Sequence, residues 1–192
     1  MQEEDIPTSA GLSSFNLLDE RKLFAALGLV PGITMLDLGC GLGNYAVAAS
    51  PYVGERGIIH ALDPWAEGIE TLTVRAEIGR LANIRPGVAG AGEALPLAGR
   101  TVDLALLATV VHVLVQEGVL DKALAGVRRV LKPGGILAVV EFHKVDGQPG
   151  PPLAWRLSPS ELERTLAFSG FRLTAFADVG PVNYLSLFAL RS

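Results

Sequence analysis

"LDLGCGLGN", residues 36–44, ends an apolar run on an acid and then sets glycines at alternate positions, Gly39, Gly41 and Gly43. The run that leads into it, ITMLDL (33–38), is short and apolar and stops at those glycines, which predicts a buried strand entering a tight turn. A helix can start at Asn44 and run to about Ser50. A strand, a bare turn and a helix N-terminus in that order mark the place where a parallel α/β sheet binds nucleotide-like ligands. Glycine alternation on its own also serves a tight turn with no ligand. Asp63 strengthens the ligand reading, because it lies 20 residues after Gly43 at the end of a second predicted strand, GIIHALD (57–63), where a carboxylate can accept from both hydroxyls of a ribose. A turn or N-cap aspartate before Pro64 is the plainer alternative.

Two cofactor classes fit this spacing, and Gly41 to Ala46 can be read as the GxGxxA of dinucleotide sites. Asp37 separates them. A pyrophosphate brings two negative charges, each repelled by about 3 kcal/mol at about 6 Å in an effective dielectric near 20. S-adenosylmethionine brings an ammonium, a sulfonium and one carboxylate. The aspartate attracts the cations, and the helix N-terminus suits the carboxylate.

Outward from this turn, strand and helix alternate. LLDERKLFAALGL (17–29) has helical spacing and stops at Gly28 with Pro31 beyond; AEGIETLTVRAEIGRLA (66–82) reads as another helix. NIRPGVAG (83–90) holds a third strand weakened by its proline and glycines, and TVDLALLATVV (101–111) a fourth. Leu120, Leu124, Val127 and Leu131 share a helix face, LKPGG stops that helix, and ILAVVEF (136–142) is the fifth strand. DGQPGPP (146–152) cannot be regular structure and reads as a lid or linker, spanning 144–157 with its flanks. SPSELERTLAFSG opens on Ser158 as N-cap with Pro159 at the first helical position and Glu161 placed for a capping box, and Gly170 ends it. Residues 171–192 contain two strand-like runs joined at Gly180 and Pro181, an antiparallel hairpin. Repeated β/α units of this kind predict a parallel sheet with helices on both faces.

The chain has 192 residues, 49% of them hydrophobic, enough for one full α/β core, so residues 1–192 are expected to form a single domain with a helical segment over 1–30. Its net charge of -4, with Arg and Lys dispersed, leaves no footprint for nucleic acid. The acidic start MQEED is unlike a signal peptide, and the longest apolar run, Leu104 to Val115, is too short to span a bilayer and contains His112. These features predict a soluble, cytoplasmic protein with no integral membrane segment. Cys40 is the sole cysteine, so no internal disulfide or cysteine metal cage can form, and no metal site is expected. Nothing in the sequence specifies an oligomeric state.

MLDLGCGLGNY (35–45), HALDP (60–64), GEALPLAGRTVDLALLATVVH (92–112) and RVLKPGGILAVVE (129–141) together resemble the successive motifs of class I S-adenosylmethionine-dependent methyltransferases, of the type 11 group that includes the ubiquinone/menaquinone C-methyltransferases. The resemblance covers nearly the whole chain. It implies a Rossmann-like seven-stranded sheet of order 3-2-1-4-5-7-6 with the seventh strand antiparallel. It also implies that Asp37 and the turn Gly39, Cys40, Gly41 and Gly43 hold the methionine part of the cofactor, and Asp63 the ribose. Pro64, Trp65, Gly92 and Glu93 would lie by the adenine, and Thr109 would complete the site at the end of the fourth strand. S-adenosylhomocysteine would be the product. Where the family often has an aspartate reaching the adenine amino group, this chain has Ala91, so that contact would come from backbone or Glu93, or be missing.

Methyl transfer needs an acceptor in line behind the methyl carbon, and a base only when the acceptor is protonated. His112, after the fourth strand, is the candidate base, against the alternative of a histidine satisfied by a nearby carbonyl. Glu141 and His143 leave the fifth strand toward the same edge and read more readily as a solvated strand end. His60 sits inside a strand and reads as structural. Tyr184 and Trp155 can wall an acceptor pocket or pack in the core. Arsenite methylation would need more cysteines, and methylation of amide or adenine nitrogen usually goes with an Asn-Pro-Pro-Tyr type motif where this chain has ATVVH. A small, partly apolar methyl acceptor is the expected partner. The rivals are a nicotinamide-dependent oxidoreductase, whose usual lysine and tyrosine pair or second domain is not found, and a cofactor-binding module without catalysis.

Overall fold

Alternate residues of the strand β1 (Thr34–Leu38) enter two different cores: Leu36 and Leu38 pack on one side of the sheet, Met35 on the other, and all three are fully buried. This two-sided burial is why the strand reads as an apolar run rather than an alternating one. The computed structural model describes residues 11–147 and 149–191; residues 1–10 of the expected N-terminal segment lie outside them.

Six further strands flank β1: β2 (Ile58–Asp63), β3 (Ile84–Val88), β4 (Val102–Ala108), β5 (Leu131–Phe142), β6 (Phe171–Asp178) and β7 (Asn183–Leu190). Their order across the sheet is β3-β2-β1-β4-β5-β7-β6, with β7 antiparallel to both neighbours and the other pairings parallel. This is the expected Rossmann-like order. Pro86 is tolerated because β3 is an edge strand.

Helices α1 (Glu20–Leu27), α2 (Asn44–Val53) and α3 (Ala66–Ile78) cover one face; α4 (Val111–Gln116), α5 (Leu120–Val130) and α6 (Pro159–Phe168) cover the other. Asp19 caps α1 through the Lys22 amide at 3.1 Å, and Gly28 ends it in the left-handed region. The Ser158 and Glu161 capping box on α6 forms as read. α2 runs on through Pro51 to Val53, beyond the expected Ser50.

Two sequence expectations need correction. The fourth strand does not reach residue 111: it stops at Ala108, Thr109 turns at φ 55°, and Val111 begins α4, a helix that β-branched valines hid. LKPGG is not a gap between helix and strand, because β5 already begins at Leu131, pairs with Val102, and resumes at Ile136 opposite Leu104 after an irregularity. The connector after β5 matches its reading: the described residues of 146–152 form no helix or strand, and a short 3-10 turn follows at Leu153–Trp155. No described helix is long and apolar enough to cross a membrane.

Candidate functional site

The carboxyl ends of β1, β2, β4 and β5 bring most of the predicted site residues to one edge of the sheet. The three glycines of the first turn do different work. A Cβ at Gly39 would lie 2.5 Å from a Val110 methyl, and one at Gly43 would lie 2.2 Å from a Leu72 methyl, so these two are glycine because helices and loops close in on them. Gly41, at φ 52°, would point a side chain into open space. Its bareness is therefore the one that packing does not explain.

The turn amides are already occupied. Gly39 and Cys40 both donate to the Leu62 carbonyl at 2.7 and 3.1 Å, Gly43 donates to the Cys40 carbonyl, and Gly41 donates to Asp63 Oδ2 at 2.8 Å. Asp63 Oδ1 accepts the Trp65 amide at 2.9 Å. Asp63 thus fixes the turn; the oxygen lone pairs left over are what it can offer a ligand.

Asp37 is buried beneath this turn, 1% exposed, and its Oδ2 has no hydrogen-bond partner. Burial first, and then Asp63, push its carboxyl up to about 7, against a lowering bond from the Ala46 amide. Cys40 is no nucleophile: burial, then Asp37 and Asp63, raise its thiol far above the ordinary value.

Over the turn lies a cavity of about 30 Å³ lined by Gly11 to Ser13, Gly39 to Leu42, Tyr45, Ala108 and Thr109. That is room for roughly one water. Residues 11–13 form one wall, and Ser14 is tied down beside it. Gly11 lies against Trp65, and Ser14 Oγ meets the Tyr45 hydroxyl at 2.6 Å and Thr109 Oγ1 at 3.2 Å. Burial raises the Tyr45 hydroxyl above its ordinary range. Ser14 carried no signal in the sequence, and Tyr45, although it closes MLDLGCGLGNY, was assigned no role there. Trp65 rests on Gly68, Pro64 is exposed, Gly92 is half-buried, and exposed Glu93 folds back over Gly90. Ala91 belongs to the core behind β4.

Glu141 corrects the expectation of a solvated strand end, because it is fully buried. Its Oε1 accepts the His112 amide at 3.0 Å, and its Oε2 meets His112 Nδ1 at 2.8 Å. The ring is satisfied by a carboxylate and not by a carbonyl. His143 stays partly exposed and reaches Asp178 Oδ1 at 3.0 Å. Burial and then Arg85 hold the half-buried His60 imidazole below its ordinary value, away from the site. Tyr184 is a core residue whose hydroxyl donates to the Leu157 carbonyl at 2.7 Å, while Trp155 is half-buried after the connector.

Arg156 was not singled out in the sequence, and it organises that connector. Only 4% exposed, it spends all five N–H groups on main-chain carbonyls: Pro151, His143, Val145, Gly147 and Pro149. Its guanidinium sits 5.7 Å from the Phe142 ring centre. An arginine closing a Pro/Gly-rich stretch was the available signal.

A separate groove of about 710 Å³, lined by Arg100, Arg128, Arg129 and Arg191 among others, lies at the opposite, amino ends of β4 and β5. Among the described residues no group of three or more His, Cys, Asp or Glu is placed to hold a metal ion.

A family profile described as a methyltransferase domain matches residues 35–135. The 2-phytyl-1,4-naphtoquinone methyltransferase of Synechocystis sp. is 34% identical over 128 residues, covering 66% of this chain and 50% of that one. A ubiquinone/menaquinone biosynthesis C-methyltransferase of Cupriavidus necator is 32% identical over 124 residues, 63% of this chain and 48% of that one. The chain thus spans about half the length of these relatives. Among solved structures, a SAM-dependent methyltransferase from Aquifex aeolicus superposes with a TM-score of 0.84 at 28% identity, over 95% of both chains.

Proposed function

This chain belongs to the methyltransferase domain family of class I S-adenosylmethionine-dependent enzymes, and from that premise we propose that it methylates a small, partly apolar acceptor. One observation carries the cofactor half of the reading: a buried carboxylate oxygen of Asp37 without a partner, set under a turn whose Gly41 opens onto free space. An ammonium supplies the missing partner, and a pyrophosphate would aggravate the charge. This favours the methyltransferase over the nicotinamide rival.

When bound, S-adenosylmethionine would supply an electrophilic methyl group to the acceptor's electron pair and leave as S-adenosylhomocysteine. Asp37 would hold the ammonium, and the N-terminal end of α2, beyond Gly43, would take the carboxylate. Asp63 accepts from the ribose with the lone pairs that Gly41 and Trp65 leave over. Trp65, Pro64, Gly92 and Glu93 would border the adenine, Cys40 with the rest of the turn would border the methionine part, and Thr109 would complete the site. Residues 11–13 would border the bound molecule. His112 takes a proton from the acceptor when the acceptor carries one. The two cores share one sheet, which supports treating the chain as a single catalytic domain.

Titration calorimetry with S-adenosylhomocysteine and with NAD tests the cofactor. Saturable binding of the first alone is expected, and binding of NAD alone defeats the reading. A labelled-methyl screen, begun with prenylated naphthoquinols because of the relatives named above, tests the acceptor. Incorporation only into protein or nucleic acid would reject a small molecule.

A further inference from the structure

Glu141 carries no exposed surface, and both of its oxygens are spent on one residue, the amide and the Nδ1 of His112, at 3.0 and 2.8 Å. We propose that Glu141 is a positioning residue that fixes His112 as the Nδ1–H tautomer, leaving Nε2 as the lone pair that accepts the proton of the methyl acceptor. The inference rests on the methyl-transfer reading and narrows it to acceptors with a proton on the reacting atom, a hydroxyl or an acidic carbon.

An ionised carboxylate can only accept, so Nδ1 facing it must be the donor. The amide contact removes the remaining freedom: with Oε1 pinned at the start of α4, Oε2 can lie only where the ring meets it. Nε2 makes no hydrogen bond among the described residues. The groups around the pair do not compete. Tyr184, opposite Glu141 in the β5–β7 register, gives its hydroxyl to Leu157; Asn183 donates to the Glu141 main chain at 3.4 Å; Phe142 meets the ring edgewise. Lys144 pairs with Glu161, His143 with Asp178, and Arg156 is filled by carbonyls. A cap on α4 alone would need only one acceptor oxygen, which glutamine has. Glutamate is required only if Nδ1 must donate.

The proton balance closes on these two side chains. The acceptor's proton passes to Nε2, and the electron pair it leaves is free to bond to carbon. The imidazolium is neutralised by Glu141 at 2.8 Å, and Nε2 later returns the proton to water, while Nδ1 keeps its own throughout.

Nitrogen-15 NMR of the imidazoles, with His112 assigned through H112Q, tests this without any acceptor. Wild-type protein should show a neutral ring protonated at Nδ1 and bare at Nε2. In E141Q the amide oxygen takes the His112 main-chain N–H and the NH₂ turns to Nδ1, so the tautomer should invert. With an acceptor from the screen, kcat should then drop about 10³- to 10⁴-fold, the scale of a wrong tautomer in a His-carboxylate pair, with S-adenosylhomocysteine affinity held within about twofold. A wild-type ring protonated at Nε2 overturns the proposal even if E141Q fails to fold, and so does wild-type turnover in E141Q. Wild-type protein that binds no S-adenosylhomocysteine overturns the methyl-transfer reading instead, and leaves the tautomer measurement to decide the pair.

Discussion

Asp63 and Gly41, 22 residues apart in the chain, are joined by a hydrogen bond of 2.8 Å that ties the end of β2 to the turn after β1. The carboxylate that the spacing assigns to a ribose is therefore also the clasp of the turn. Asp63→Ala orphans the Gly41 and Trp65 amides in a site only 9% exposed. The expected loss is about 2–4 kcal/mol of stability together with weakened S-adenosylhomocysteine binding. Urea unfolding and calorimetry on the same variant check both; an unchanged unfolding midpoint would mean that the clasp carries no energy.

Asp37 makes the stability of the free protein fall as pH rises. Its carboxyl titrates at about 7 when folded, against 3.8 as its ordinary value. Between those values the folded state holds a proton that the unfolded state has lost, so the slope is negative there and flat above 7. The full effect is up to about 4 kcal/mol. Asp37→Asn should flatten the profile between pH 4 and 7 and weaken binding of S-adenosylhomocysteine. An ammonium favours the ionised form, so binding near pH 6 should release close to one proton, measured by calorimetry in buffers of different ionisation enthalpy. Proton uptake would contradict the pairing.

The glycines should separate by what surrounds them. Gly41→Ala meets no atom within 4 Å and should cost only the left-handed strain of about 1–2 kcal/mol while reducing cofactor affinity at least about tenfold. Gly43→Ala strikes Leu72 and adds overpacking of about 1–3 kcal/mol. A double-mutant cycle with Leu72→Ala should show the two changes partly compensating. Strict additivity would place the clash elsewhere.

Arg156→Lys leaves three donors for five carbonyls. Hydrogen exchange of residues 143–147 should quicken at least about tenfold while β1 and β4 keep their protection. Equal exchange in both proteins would show that the connector holds itself.

The fold was legible because each of its signals is local or periodic. The apolar run into Gly39, the Ser158 capping box, the stop at Gly28 and the Gly180–Pro181 hairpin each state their element within a few residues, and the order of elements then leaves little choice of topology. Asp37, the glycine turn and Asp63 could be proposed as a site for the same reason, through fixed spacing around one strand and helix. The rest depended on distances across the chain that no spacing encodes. Glu141 looked like a solvated strand end because burial is set by what packs over it, and α4 and β7 do so only after folding. Thr109 and Val110 read as strand because their β-branched side chains favour it, until the Val140 carbonyl captures the Thr109 amide and the chain turns into α4. Ser14 reaches Tyr45 and Thr109 over separations of 31 and 95 residues, and Arg156 gathers the carbonyls of a segment that forms no ladder of its own. Sequence determined which ligand chemistry this edge of the sheet can hold, because residue type and local period dictate strand, turn and charge. Tertiary structure decided which side chains share a proton there, because a hydrogen bond requires two groups within about 3 Å and only the packed chain sets that distance.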